Sequence, residues 1–124
     1  MAALYFYLNA VLYVVLAAIC TIRPSQTAAG IGFTELNKSG RSEYLVVYGG
    51  LQLGLGLFYF LLGRDPAYAR VGILFSLLLY TPMVAYRMVS LWLHRPTSPV
   101  TLGTAALEIL LLLWAFILWR NWRA

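Results

Sequence analysis

Residues 71–93 read VGILFSLLLYTPMVAYRMVSLWL, an apolar run in which Arg87 is the only charged residue. A helix needs about 20 mostly apolar residues to cross the hydrocarbon of a bilayer, so this stretch predicts a membrane span. It ends at His94-Arg95-Pro96. Three further runs have the same form. Leu4 to Ile22 is stopped by Arg23-Pro24, and Val100 to Trp119 is closed by Arg120 and Arg123. Tyr44 to Gly63 is entered from Arg41-Ser42-Glu43 and left through Arg64-Asp65-Pro66. Proline just beyond a helix end is a stop signal, which Pro24, Pro66 and Pro96 each supply. Trp92, Trp114, Trp119 and Trp122 gather toward span ends, where amphipathic rings prefer the interface. The predicted fold is an all-α integral membrane protein of one domain, residues 1–124. Its four transmembrane helices form an antiparallel up-down bundle, because the second and third connections are short. The first connection, 23–43, is long and contains Ala28, Ala29, Ile31, Phe33 and Leu36, so it is expected to lie on the membrane surface or to fold over the bundle as a lid.

Composition points the same way. Of 124 residues, 62% are hydrophobic and 10% charged, and the mean hydropathy is +0.79. A soluble domain carries about half apolar and a quarter charged residues, and so short a chain has too little interior to hide this much apolar surface. The single Cys20 excludes an intrachain disulfide and Cys-x-x-Cys redox chemistry. The stretch Leu16 to Cys20 loosely matches a lipoprotein cleavage site, but Ile19 is too bulky for it, and a small buried thiol is expected. No Lys or Arg precedes the first apolar run, so no secretory signal peptide is expected. The net charge of +5 does not imply nucleic-acid binding, because the basic residues stand singly around apolar runs, as residues facing lipid headgroups do.

Orientation is nearly balanced. Arg64, Arg70, Arg120 and Arg123 lie on the face with the termini, and Arg23, Lys38, Arg41 and Arg95 on the other. The pair Arg120 and Arg123, close to its helix end, favours cytoplasmic termini.

Ionisable groups inside a span are costly and mark functional sites. Of thirteen Lys, Arg, Asp and Glu residues, two fall within spans, Arg87 and Glu108. At ~1.5 Å per residue, Arg87 lies about 9 Å from Leu93, Glu108 about 12 Å from Val100 and Gln52 about 12 Å from Tyr44. Three polar groups on three helices therefore reach one layer. On the third span Ser76, Tyr80, Met83, Arg87, Ser90 and His94 share one face. Thr101, Thr104 and Glu108 share a face of the fourth, Tyr48 and Gln52 one of the second (with Tyr59 a heptad on), and Tyr5, Asn9 and Tyr13 one of the first, where Asn9 lies nearer the opposite surface. The layer has two readings. Arg87 and Glu108 form an internal ion pair whose hydrogen bonds Gln52 and the tyrosines complete, or they floor a pocket in which Arg87 receives an anionic headgroup or Glu108 exchanges a proton.

Pro82 removes an amide from the middle of the third span, which predicts a kink beside the layer. Gly49, Gly50, Gly54 and Gly56 allow close helix approach, and Gly50 to Gly54 has the small-xxx-small spacing, which predicts packing within the bundle rather than a dimer seam. One His and one Cys, far apart, make no metal or haem site, and no phosphate loop or Ser/His/Asp grouping is present. No cofactor is expected, and an enzyme is the least favoured class.

The run Ser39-Gly40-Arg41-Ser42-Glu43, followed by Val47-Tyr48-Gly49-Gly50-Leu51-Gln52-Leu53-Gly54-Leu55-Gly56, resembles the bacterial "domain of unknown function 4345" family of small four-helix membrane proteins. Arg87-Met88-Val89-Ser90-Leu91, leading through Pro96 and Ser98-Pro99 to Glu108, carries the same resemblance. It implies a multi-pass protein of the bacterial inner membrane and points to Arg41, Glu43, Tyr48, Gly49, Gly50, Gln52, Arg87 and Glu108, but it implies no reaction. In its four-helix organisation the chain is more distantly similar to DoxX-like proteins, which is analogy of fold. The expected ligand site is Arg87, Glu108, Gln52, Tyr48, Tyr80, Glu43 and Arg41, taking a membrane lipid or another amphipathic, anionic or hydrophobic small molecule. Two alternatives remain. One is a small proton-coupled transporter or channel working through Glu108. The other is an accessory subunit of a larger membrane complex, or a homo-oligomer, docking through the glycine face.

Overall fold

The computed structural model describes residues 2–96 and 98–122, and all of its regular structure is helical. Arg123, expected to close the last span, lies outside the described residues. Four helical stretches are long and apolar enough to cross a membrane: Ala2–Ile22, Lys38–Arg64, Pro66–His94 and Pro99–Trp122. Within an 18-residue apolar stretch of each, only 33% of the first and 22% of each of the others is buried inside the bundle. The outward remainder is leucine, valine, isoleucine and aromatic surface, such as Val11, Leu57, Leu78 and Leu110. A monomeric soluble protein does not expose so much continuous apolar surface, so lipid must cover it. This is a multi-pass membrane protein.

Helix α1 is Ala2–Ile22, and α2, Pro24–Gly30, follows after one residue. Helices α3 (Lys38–Tyr44) and α4 (Gln52–Arg64) join through a π-helical segment, Leu45–Leu51, and so form one span. A single 3₁₀ turn, Pro66–Tyr68, leads into α5 (Ala69–His94), and α6 is Pro99–Trp122.

Two span starts lie well before the expected ones, and that of the third span is Pro66 rather than Val71. The second span begins at Lys38 rather than Tyr44. Asn37 caps it, its Oδ1 accepting from the Gly40 amide at 2.7 Å, the bond an N-terminal turn needs. Pro24 and Pro66 stop the preceding helix and also start the next, a position where the missing N–H costs nothing. The first connection is therefore shorter than expected and partly helical. Pro82 sits inside α5, which continues through it to His94.

In a bilayer, helices associate by close packing rather than by hydrophobic exclusion. Glycines on the second span at every seventh residue set the seam with α1. A Cβ at Gly49 would come within 2.9 Å of Thr21 Oγ1, one at Gly56 within 2.6 Å of Val14 Cγ2 and 3.2 Å of the Ala10 carbonyl, and one at Gly63 within 3.0 Å of the Tyr7 ring. Gly50 and Gly54, which share the small-xxx-small spacing, point outward with nothing within 4 Å. Of the glycines expected to pack within the bundle, Gly49 and Gly56 do so and Gly50 and Gly54 do not. The used period is seven rather than four, which leaves those two on the lipid face.

Candidate functional site

At the core are four tyrosines, Tyr5, Tyr13, Tyr59 and Tyr80, with Asn9 and Ser76 among them. Their bonds can be directed by counting hydrogens. Tyr80 donates to Asn9 Oδ1, so in the 2.9 Å bond between Tyr13 and Tyr80 the donor is Tyr13. Asn9 Nδ2 donates to the Tyr5 carbonyl at 2.9 Å, and the Tyr5 hydroxyl donates to the Leu111 carbonyl at 3.0 Å. Ser76 spends its hydrogen on the Gly72 carbonyl at 2.9 Å, so Tyr59 donates to Ser76 at 2.8 Å. Among the described residues no buried side-chain nitrogen or oxygen lacks a partner. The network ties α1, α4, α5 and α6 together, and every polar atom in it is satisfied, which makes polar burial in lipid tolerable. Asn9 is fully buried within it. Tyr80 belongs here rather than beside Arg87.

Above this core stands the one ion pair found among the described residues. Arg87 Nε lies 2.8 Å from Glu108 Oε1, and its second contact, Nη2 to Oε2, is 3.1 Å. Two parallel N–H···O bonds make this the side-on fork that a guanidinium and a carboxylate form best. The common depth inferred from the sequence is thus realised between α5 and α6. The partners differ in exposure: the side chain of Glu108 is 11% accessible and that of Arg87 is 29%. Glu108 is the buried anchor, and Arg87 reaches from it toward the outside.

Gln52 does not join the pair. Its Nε2 donates at 2.7 Å to the Tyr48 carbonyl one turn back on its own span. Tyr48 stacks on Tyr44, with centroids 4.5 Å apart and planes at 22°. The polar face expected along α5 also divides. Ser76 and Tyr80 are buried, Arg87 is half-buried, and Ser90 and His94 are exposed.

The first connection covers the Arg87 end of the bundle. Ala28, Cys20 and Tyr44 form a small second core with Ile31, Leu36 and Tyr48 packed on it. The Tyr44 hydroxyl donates to Thr27 Oγ1 at 2.9 Å and lies 3.6 Å from Cys20 Sγ. Cys20 is a free, buried thiol. Ser98 donates to the Gly30 carbonyl at 3.1 Å, which ties this connection to the one between α5 and α6. Arg41 Nη2 donates to Ser25 Oγ at 3.0 Å, and Glu43 is exposed. Arg41 and Glu43 therefore lie on the first turns of the second span, where Arg41 holds the covering segment, and neither bonds to the Arg87–Glu108 pair.

The family described as "Domain of unknown function (DUF4345)" matches residues 1–119. The chain belongs to this family. No curated protein and no solved structure matches the chain. For this DUF4345 protein, then, chemistry has to be read from the site itself. Among the described residues no group of three His, Cys, Asp or Glu side chains is placed to hold a metal ion. At this end stand the Arg87 guanidinium paired with Glu108, the Tyr48 ring stacked on Tyr44, and the Gln52 amide bonded to its own span.

Proposed function

We propose that the protein binds an amphipathic, anionic, lipid-like molecule, its head at Arg87 beside Tyr48 and Gln52 and its tail along the lipid-facing helices. The observation that carries this reading is the side-on pairing of Arg87. Glu108 takes Nε and one hydrogen of Nη2, and a guanidinium has five N–H donors. The end-on edge, Nη1 with the outer hydrogen of Nη2, stays free on a side chain that reaches out of the bundle. A phosphate or carboxylate suits that edge, and Glu108 holds the guanidinium in place so that little side-chain entropy is lost on binding. The setting proposed is the bacterial inner membrane, with both termini in the cytoplasm.

Native mass spectrometry of the detergent-purified protein tests the reading. Anionic lipid should remain bound to the wild type and be lost from Arg87→Ala. Equal retention by the two would overturn it. Transport through Glu108 fits the geometry less well, because both of its carboxylate oxygens are engaged by Arg87 in the fork. A second reading is favoured by the outward position of Gly50 and Gly54: docking against another membrane protein or a second copy. A Gly54→Cys variant that forms no crosslink in membranes would reject it.

A further inference from the structure

A different site lies in the first connection. A cavity of about 320 Å³ opens there, lined by Ser25, Phe33, Thr34, Glu35 and Asn37 over the buried Ala28. Its shape comes from the end of α2. The Phe33 amide bonds to the Ala28 carbonyl at 2.9 Å and the Gly32 amide to the Ala29 carbonyl at 3.1 Å, with Gly32 at φ +101°. This is the Schellman closure, which needs glycine at the left-handed position, and it turns the chain so that Phe33 to Asn37 face back toward Ser25. The joined helices end at Ile22 and begin at Lys38, so the cavity sits where a membrane surface meets headgroups.

Its lining holds one carboxylate, and two basic residues adjoin lining residues. Glu35 supplies a carboxylate that makes no ion pair among the described residues. Phe33 is 47% exposed and stands edge-on to Tyr44 at 6.3 Å, leaving ring surface free for a cation. Arg41 donates to the lining residue Ser25 at 3.0 Å, and exposed Lys38 follows the lining residue Asn37 in the chain. A carboxylate with an aromatic ring takes an ammonium group, and a guanidinium with an amine takes a phosphate.

We propose that this cavity binds a phosphoethanolamine group, its primary ammonium at Glu35 and Phe33 and its phosphate at Arg41 and Lys38. The group comes either from a membrane aminophospholipid or from a soluble phosphoethanolamine compound. The site is separate from the Arg87 site and does not depend on the reading given above.

The test uses the full chain in nanodiscs of phosphatidylcholine doped with phosphatidylethanolamine or with phosphatidylglycerol, and counts retained lipids by native mass spectrometry. Phosphatidylethanolamine should be retained over phosphatidylcholine, whose methylated nitrogen has no N–H to give Glu35. Glu35→Gln and Arg41→Gln, both at exposed positions, should each reduce that excess about threefold to fivefold, the scale of an exposed charged contact. Both should leave phosphatidylglycerol retention unchanged. Loss of the excess on adding glycerophosphoethanolamine assigns the site to the headgroup chemistry alone. Persistence of an excess that remains sensitive to Glu35→Gln assigns it to the whole lipid. No preference for phosphatidylethanolamine, or a preference that both variants keep, overturns the proposal. Arg87→Ala should not alter phosphatidylethanolamine retention, so failure here and failure at Arg87 are distinguishable.

Discussion

Breaking the Arg87–Glu108 fork should be costly in an asymmetric way. Two charges about 4 Å apart attract by ~4 kcal/mol at an effective dielectric of ~20. Desolvation of the carboxylate offsets part of this, and water or headgroups screen the exposed part of Arg87, whose side chain is 29% accessible. A net coupling of about 2 kcal/mol remains, near the upper end for polar contacts between membrane helices. Arg87→Met leaves the carboxylate buried with no counter-charge and should cost about 3 kcal/mol. Glu108→Leu leaves a long side chain that can turn its charge outward and should cost only about 1 kcal/mol. The double variant should be roughly 2 kcal/mol more stable than the sum of the single losses implies. Reversible unfolding in mixed micelles, followed by tryptophan fluorescence, measures all four proteins. Additive losses, or a larger loss for Glu108→Leu than for Arg87→Met, would refute the reasoning.

Other substitutions separate inward from outward groups. Gly56→Ala forces a methyl against the α1 backbone and should cost about 1–3 kcal/mol, whereas Gly54→Ala meets nothing and should gain up to ~1 kcal/mol from helix propensity; melting temperatures in detergent give the order. Tyr80→Phe strands Asn9 Oδ1 and should cost about 1–3 kcal/mol, while Tyr86→Phe, at a position 81% exposed, should be neutral in the same assay. Deleting Val46 returns the π-helical segment toward α-helical register and turns α3 by roughly 100° about its axis. This withdraws Tyr44 from Thr27 and Cys20, so maleimide labelling of Cys20, slow in the wild type, should become fast.

The sequence made the spans legible because lipid demands long apolar runs, and it located Arg87 and Glu108 because their charges are so few. Equal depth on neighbouring helices was enough to predict their meeting. Gln52 had the same depth, but depth does not determine rotation about the helix axis, and its side chain bonds instead to the Tyr48 carbonyl one turn back. The glycines show a related limit. Gly50 and Gly54 carry the familiar spacing, while the seam with α1 uses Gly49, Gly56 and Gly63, a choice that depends on what α1 presents opposite them. Lys38, Arg41 and Glu43 read as loop because of their charge, and only the structure shows Asn37 capping the turn they form. The tyrosine network was visible only as separate faces, since its bonds run between residues as far apart as Asn9 and Tyr80.

Whether a lipid head reaches Arg87 is tested most directly by a photo-crosslinkable anionic phospholipid, activated in membranes containing the protein and mapped by peptide mass spectrometry. The account predicts adducts concentrated around Tyr48, Gln52 and Arg87 that disappear in Arg87→Ala. Adducts spread evenly over the outward faces of all four spans, and unchanged in that variant, would contradict it.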